Sequence, residues 1–143
     1  IDLGALCVES GKKVWMVFID VHVLDDGGNL LDAAALGAIA ALKTSKIPAS
    51  RFELGEDTPL PVKDLPVAVT AVEIGGAIML DPSLDEENVA GTRLTVISNQ
   101  DGALSGMQKS GSVPLTTEQI LHIVEAACEK AKEIRQKFLE SLS

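Results

Sequence analysis

The sequence predicts an α+β domain, a mixed sheet packed against helices, on three observations. A run of apolar and β-branched residues from Val14 to Val23 leads through a glycine turn into a helix made largely of alanine and leucine. A second series of short β-rich runs, punctuated by glycine turns, fills Val67 to Gln108. The chain then closes on a long amphipathic helix that carries its own start signals. Strands and helices that come in groups rather than in strict alternation are the pattern of an α+β fold.

Taken in order, Ile1 to Cys7 has apolar residues at positions 1, 3 and 6 and no cap before them, so it reads as the end of an element with further sequence expected upstream. Gly11-Lys12-Lys13 is a turn. In the strand that follows, Trp15, Val17, Ile19, Val21 and Val23 share one face, while Val14, Met16 and Phe18 share the other before it turns polar at Asp20 and His22. That pattern predicts a strand buried on both sides for most of its length. Asp25-Asp26-Gly27-Gly28 supplies a sharp reversal, and Asn29 with Asp32 makes a weak capping box for the next helix. From Ala33 to Leu42 the helix is apolar all round, which predicts burial between other elements. It ends near Ser45, where Lys43 and Lys46 suit the negative end of the dipole and Pro48 forbids continuation.

Ala49 to Pro66, rich in proline and acid, reads as an exposed connection with a short strand at Arg51 to Leu54. Val67 to Ile74, Gly75-Gly76 and Ala77 to Leu80 predict a hairpin. Asp81 to Glu87 is an acidic turn able to start one helical turn, and Thr92 to Ser98 is a strand that Asn99 to Gly102 turns back toward Ala103 to Gln108. In the final helix Thr116 and Gln119 form a capping box and Leu115 and Ile120 a hydrophobic staple. Apolar residues at 120, 124, 127, 131, 134, 138 and 142 keep a 3.6 period, with Glu133 and Lys137 as an outward i,i+4 pair.

A length of 143 residues suits one domain with an adequate core. A net charge of −9 argues against a broad, nonspecific grip on nucleic acid by this chain alone. Cys7 and Cys128 lie far apart with no CxxC spacing, which points to reduced thiols and a cytoplasmic setting rather than a disulfide or zinc framework. No apolar run has the length of a membrane span, and the few aromatics, Trp15, Phe18, Phe52 and Phe138, read as core.

Several residues invite chemistry and are weighed against a plainer role. Asp20 and His22 share a strand face at a spacing suited to proton transfer, but they also mark where the strand leaves the core. His122, flanked by Glu118 and Glu125, reads as a solvated helix histidine. Asp81, Asp85, Glu86 and Glu87 have the density to hold a cation or raise one carboxyl's pKa, yet they lack the glycine and alternating spacing of a calcium loop, which favours a solvated turn. Gly27-Gly28 before a helix start has the form of an anion or nucleotide cradle, although Asn29, Leu30 and Leu31 bring one side-chain donor and no cation, so a simple hairpin-like turn is preferred. Arg51, Arg93 and Arg135 are the only arginines and form no basic stripe.

The run FIDVHVLDDGGNLLDAAALGAIAALKTSKIP resembles the ribonuclease PH family, and within it the non-catalytic ring subunit of the archaeal exosome. The likeness continues through DLPVAVT, IMLDPSLDEENVAGTRLTV, SNQDGALSGMQKSG and TTEQILHIVEAACEKA. It implies the βαβα fold of these subunits, with residues 1–143 as the C-terminal part of a ribonuclease PH-type domain. In active members a hydroxyl residue and an arginine follow the glycines and hold phosphate. Here those places are Asn29 and Leu30, and leucine cannot replace a guanidinium fork. The resemblance implies that the family's acid pair, spaced six residues apart, falls near Asp81 and Glu87. The resemblance therefore implies a structural subunit with no catalytic residue, cofactor or metal of its own. Its implied partners are a catalytic ribonuclease PH-type subunit, RNA-binding cap subunits, and single-stranded RNA threading the assembled ring. An active phosphate-dependent 3′-to-5′ exoribonuclease, with Asp81 or Glu87 as general acid, is the alternative reading.

Overall fold

The computed structural model describes residues 1–142. After a 3₁₀ turn at Gly4–Leu6, β1 (Cys7–Glu9) and β2 (Lys13–Val14) make a small antiparallel pair. Helix α1 (Leu30–Thr44) leads into β3 (Lys46–Ile47), which pairs with β4 (Thr58–Pro59). The remaining elements are β5 (Val67–Ile74), β6 (Ala77–Leu80), α2 (Leu84–Val89), β7 (Thr92–Ser98), β8 (Leu104–Gly111) and α3 (Thr117–Ile134). The four longer strands form one sheet in the order β6-β5-β7-β8, each pair antiparallel.

This second half follows its sequence closely. The hairpin turns at Gly75-Gly76 as predicted, and both glycines adopt the left-handed backbone that the tight reversal needs. Helix α3 begins with the predicted capping box, Thr116 Oγ1 accepting from the Gln119 N–H at 3.2 Å and Gln119 Oε1 from the Thr116 N–H at 2.8 Å. Its inner face places Ile123, Ala127 and Ala131 against Val67, Val69 and Ala71 of β5 and Leu94 and Val96 of β7. Ile39 of α1 completes this core. Burying Ile123 to 1% exposure contributes about 2–3 kcal/mol.

Five expectations are corrected. The run 15–23 is not a strand, and beyond the half-buried Trp15 it is exposed rather than buried, with Met16 73% and Phe18 78% accessible. Among the described residues no backbone hydrogen bond reaches residues 16–24, and a strand is defined by such bonds. Helix α1 is not enclosed, because only Ile39 is buried and the side carrying Ala33, Gly37 and Ala41 is open. Arg51–Leu54 is not a strand; a 3₁₀ turn occupies Ala49–Phe52, and Glu53 then takes a left-handed backbone that breaks any extended run. The aromatics are not core: Phe52 and Phe138 are exposed, and Trp15 is half-buried with its ring edge-on to Phe52 at 5.4 Å. Finally, the 3.6 period of α3 slips at its end. A π turn at Arg135–Leu139 widens the helix, so Leu139 is buried where the regular period predicted Phe138.

Candidate functional site

The glycine turn, the acidic loop and β5 meet at Asn29. Gly28 has φ +105°, and a Cβ there would lie 2.4 Å from the Leu84 nitrogen and 2.5 Å from the Ser83 carbonyl carbon. The turn is therefore no free hairpin; it lies flat on the chain at 82–84, where the Leu84 N–H donates to the Gly27 carbonyl at 3.0 Å. Asn29 follows in left-handed backbone, φ 47° and ψ 41°, and its side chain does not cap the helix as expected. Its Nδ2 instead donates to Asp32 Oδ2 at 2.9 Å and to Asp81 Oδ1 at 2.8 Å. Its backbone N–H donates to Glu87 Oε1 at 3.2 Å.

Each carboxylate here has a structural partner. Asp32 accepts the Thr70 N–H at 2.6 Å and the Thr70 hydroxyl at 2.7 Å, and Thr70 Oγ1 also lies 2.8 Å from Thr95 Oγ1. That N–H is available because Ala71 and Leu80 are the last partners of the β5–β6 pairing, so β6 has ended before Thr70. Glu87 is paired with Arg93 at 3.2 Å. Beside this network lies a cavity of about 550 Å³ whose lining includes Asn29, Asp32, Asp81 and Lys130. Three carboxylates around a helix start repel an anion, which reverses the attraction that the helix dipole would otherwise offer.

The clamp on Asp32 has a measurable consequence. Asp32→Ala leaves the Thr70 amide, 1% exposed, without an acceptor, and is expected to destabilise the chain by about 2–3 kcal/mol in urea unfolding. A loss below about 0.5 kcal/mol would show that the clamp contributes nothing.

Glu86 sits in the same loop but serves α2. Its carboxylate accepts the Ser83 N–H at 2.8 Å and the Ser83 hydroxyl at 2.9 Å, and these bonds hold its pKa below the usual 4.5. A lowered folded pKa contributes stability that is present above the unfolded value and lost as pH falls through the folded one. Thermal stability is therefore expected to fall as pH drops below 4.5, and Glu86→Gln, which keeps the capping box but cannot titrate, is expected to flatten that acid limb.

With this geometry in view, comparison with known proteins is decisive. The chain matches the 3′ exoribonuclease family twice, domain 1 over residues 3–48 and domain 2 over residues 64–130. The chain belongs to the 3′ exoribonuclease, or ribonuclease PH, family. It is 69% identical over 137 residues to the exosome complex component Rrp42 of Methanocella arvoryzae, covering 96% of this chain and 53% of that protein. The Archaeoglobus fulgidus Rrp42 is 48% identical over 140 residues, covering 98% of this chain and 54% of that protein. A solved archaeal exosome core superposes with a TM-score of 0.92 at 48% identity, over 96% of this chain and 56% of that one. A solved Archaeoglobus fulgidus exosome with RNA bound to the active site gives the same TM-score of 0.92 over 96% of this chain. The chain thus has the ribonuclease PH-like fold and spans about half the length of the curated relatives it matches.

Asp81 and Glu87 do converge on the glycine turn, through Asn29. Asp85 is exposed and stands outside that network, while Leu30, in the place where the resemblance puts an arginine, is 38% exposed. Asp20 and His22 are exposed on the run 15–24 and, among the described residues, neither side chain makes a hydrogen bond. His122 is exposed on α3. Of the arginines, Arg51 is exposed, Arg93 pairs with Glu87, and Arg135 is buried. Thr70 and Thr95 were missed by sequence reasoning, which read Asp32 only as a capping partner of Asn29. The signal for the two threonines was a hydroxyl residue interrupting each of two apolar runs, VAVTAV and LTVIS. No helix of the described residues is long and apolar enough to cross a membrane.

Proposed function

We propose that this chain is the C-terminal part of a non-catalytic ring subunit of an archaeal-type exosome. In this reading it supports 3′-to-5′ phosphorolytic RNA degradation by a catalytic partner of the same family and helps form the RNA channel, beneath RNA-binding cap subunits. The observation that carries it is the turn at Asn29. Phosphate needs a cation and open amides at that helix start, and what stands there is Leu30 with three carboxylates already tied to Asn29, Thr70 and Arg93. The acidic remnant has become part of the scaffold. The relatives that bear the exosome component name support the assembly, and the two free cysteines suit the reducing cytoplasm.

The test is phosphate-dependent release of nucleoside diphosphates from a single-stranded RNA. The chain alone is expected to release none and to show no thermal shift with phosphate, whereas the ring assembled with an active partner is expected to degrade the RNA. Robust phosphorolysis by the chain alone would sink the proposal and establish the active exoribonuclease instead.

A further inference from the structure

We infer that the cavity beside the glycine turn is a binding site for a small aliphatic amine in its ammonium form, its head held by Asn29, Asp32 and Asp81 and its hydrocarbon chain packed on β5. The inference does not rest on the reading of the chain as a ring subunit.

Three observations carry it. First, a buried acceptor has no donor. Asn29 is 6% exposed and its Nδ2 is committed to Asp32 and Asp81, yet among the described residues nothing donates to its Oδ1. Turning the amide over cannot cure this, because Oδ1 would then face two carboxylates. A buried acceptor left over in this way calls for a donor from outside the chain. Secondly, the charge beside it is uncompensated. Asp32 and Asp81 accept only from neutral groups, and among the described residues neither joins an ion pair, whereas Glu87 has Arg93. Two carboxylates tied to one amide attract a cation. Thirdly, Ala68, 5% exposed, adds an acceptor. Strand alternation turns its carbonyl to the same edge of β5 as that of Thr70. The Thr70 carbonyl still accepts the Asp81 N–H at 3.0 Å, but β6 has ended, and among the described residues no group donates to the carbonyl of Ala68.

The occupant follows from the rest of the lining. Asn29, Asp32, Asp81 and Ala68 all line the cavity of about 550 Å³, which has the size of a small-molecule pocket. Most of the remaining lining is apolar, from Leu36 of α1, Val67 and Val69 of β5, Leu80 of β6 and Ile134 of α3. Acceptors gathered in one hydrogen-bonded cluster, with hydrocarbon around the remainder, match a cationic donor joined to an alkyl chain. A primary ammonium brings three N–H donors to the waiting oxygens. A metal ion fits less well, since among the described residues no three carboxylate, imidazole or thiol side chains form a metal-binding group, and it leaves the apolar lining without a partner. A water molecule satisfies Oδ1 and neither charge. Lys130 also lines the cavity, but its Nζ is held by Glu133 at 2.9 Å and its side chain is 48% exposed, so it acts there as a like charge and not as the head group.

The chain is titrated with hexylamine, ethylamine, hexanol and ammonium chloride, and the backbone amide of Ala68 and the side-chain amide of Asn29 are followed by NMR. Hexylamine is expected to shift both resonances saturably, with a Kd of about 1 mM or tighter, and to raise Tm. Shortening the chain is expected to weaken binding about two- to fourfold per methylene, and hexanol and ammonium chloride are expected to bind about tenfold more weakly or worse. Asp81→Asn is expected to weaken hexylamine about tenfold. Lys130→Gln tests the same charge without touching the turn: its Nζ bonds only Glu133, so melting is expected to stay unchanged while hexylamine binds about two- to threefold more tightly. No saturable shift at Ala68 and Asn29 would overturn the inference. So would hexanol or ammonium chloride binding as tightly as hexylamine, or a loss of amine binding in Lys130→Gln. Amine binding is read independently of RNA degradation, so this result and the catalytic one fail separately.

Discussion

Gly28→Ala is expected to destabilise the chain by about 4 kcal/mol, or to prevent the turn from docking at all, measured by urea unfolding of the purified protein. Two costs add. A φ of +105° is a region that side chains with a Cβ avoid. The Cβ would also stand 2.4 Å from the Leu84 nitrogen and 2.7 Å from the Pro82 carbonyl oxygen, both backbone atoms that cannot swing aside. Relief requires the turn to lift away from 82–84, and lifting it breaks the Leu84 to Gly27 hydrogen bond and the bonds from Asn29 to Asp81 and Glu87. The same substitution nine residues on has the opposite sign. Gly37 lies inside α1 with nothing within 4 Å of its would-be Cβ, so Gly37→Ala is expected to stabilise the chain by about 0.5–1 kcal/mol through helix propensity. Equal losses at the two positions would show that close approach at Gly28 is not what fixes the turn.

The contrast between these glycines also marks what could be read from sequence. Local signals were legible: the capping box at Thr116, the Gly75-Gly76 hairpin and the bounds of β5 and β7 depend on neighbours within a few residues. Signals that depend on a distant partner were not. The apolar run 15–23 has the composition of a buried strand, but a strand needs another backbone beside it, and none of the described residues supplies one. Apolar α1 likewise announced burial on every side and found it on one, at Ile39. At the glycine turn, the absence of a cation was visible in Asn29 and Leu30, whereas the contacts of Asp81 and Glu87 with Asn29 were not, because they join positions more than fifty apart in the chain. Asn29 was expected to serve its own helix and serves the acidic loop instead; its left-handed backbone carries the side chain away from the capping position.

Arg135→Ala is expected to destabilise the chain by about 3–4 kcal/mol, and Arg135→Lys to recover less than half of that loss. Arg135 is 7% exposed, and its guanidinium works as a fork. Nε donates to the Leu65 carbonyl at 2.8 Å, while Nη2 donates to the Ser98 carbonyl and to Ser98 Oγ at 2.9 Å. Leu65 lies just before β5 and Ser98 ends β7, so one side chain ties the end of α3 to both central strands. Burial lowers the pKa of the guanidinium, opposed by Cys128 and Asp101 nearby, but arginine keeps its charge at neutral pH. Truncation therefore leaves two carbonyls without a strong donor, and lysine, with a single ammonium, cannot reach both strand ends in the fork geometry. The π turn makes the effect larger than one residue. By widening the helix it points Arg135 and Leu139 inward together, and Lys43 of α1 closes the turn by donating to the Leu139 carbonyl at 2.6 Å. Releasing Arg135 is expected to let α3 return to a regular period, which turns Phe138 inward and carries Leu139 off its contact with Lys43. Hydrogen exchange separates this from a simple loss of stability. In Arg135→Ala the amides near Leu139 are expected to lose more protection than that of Ile123, which packs more than four turns earlier; uniform loss along α3 would show that the fork holds the helix as a whole and not its end.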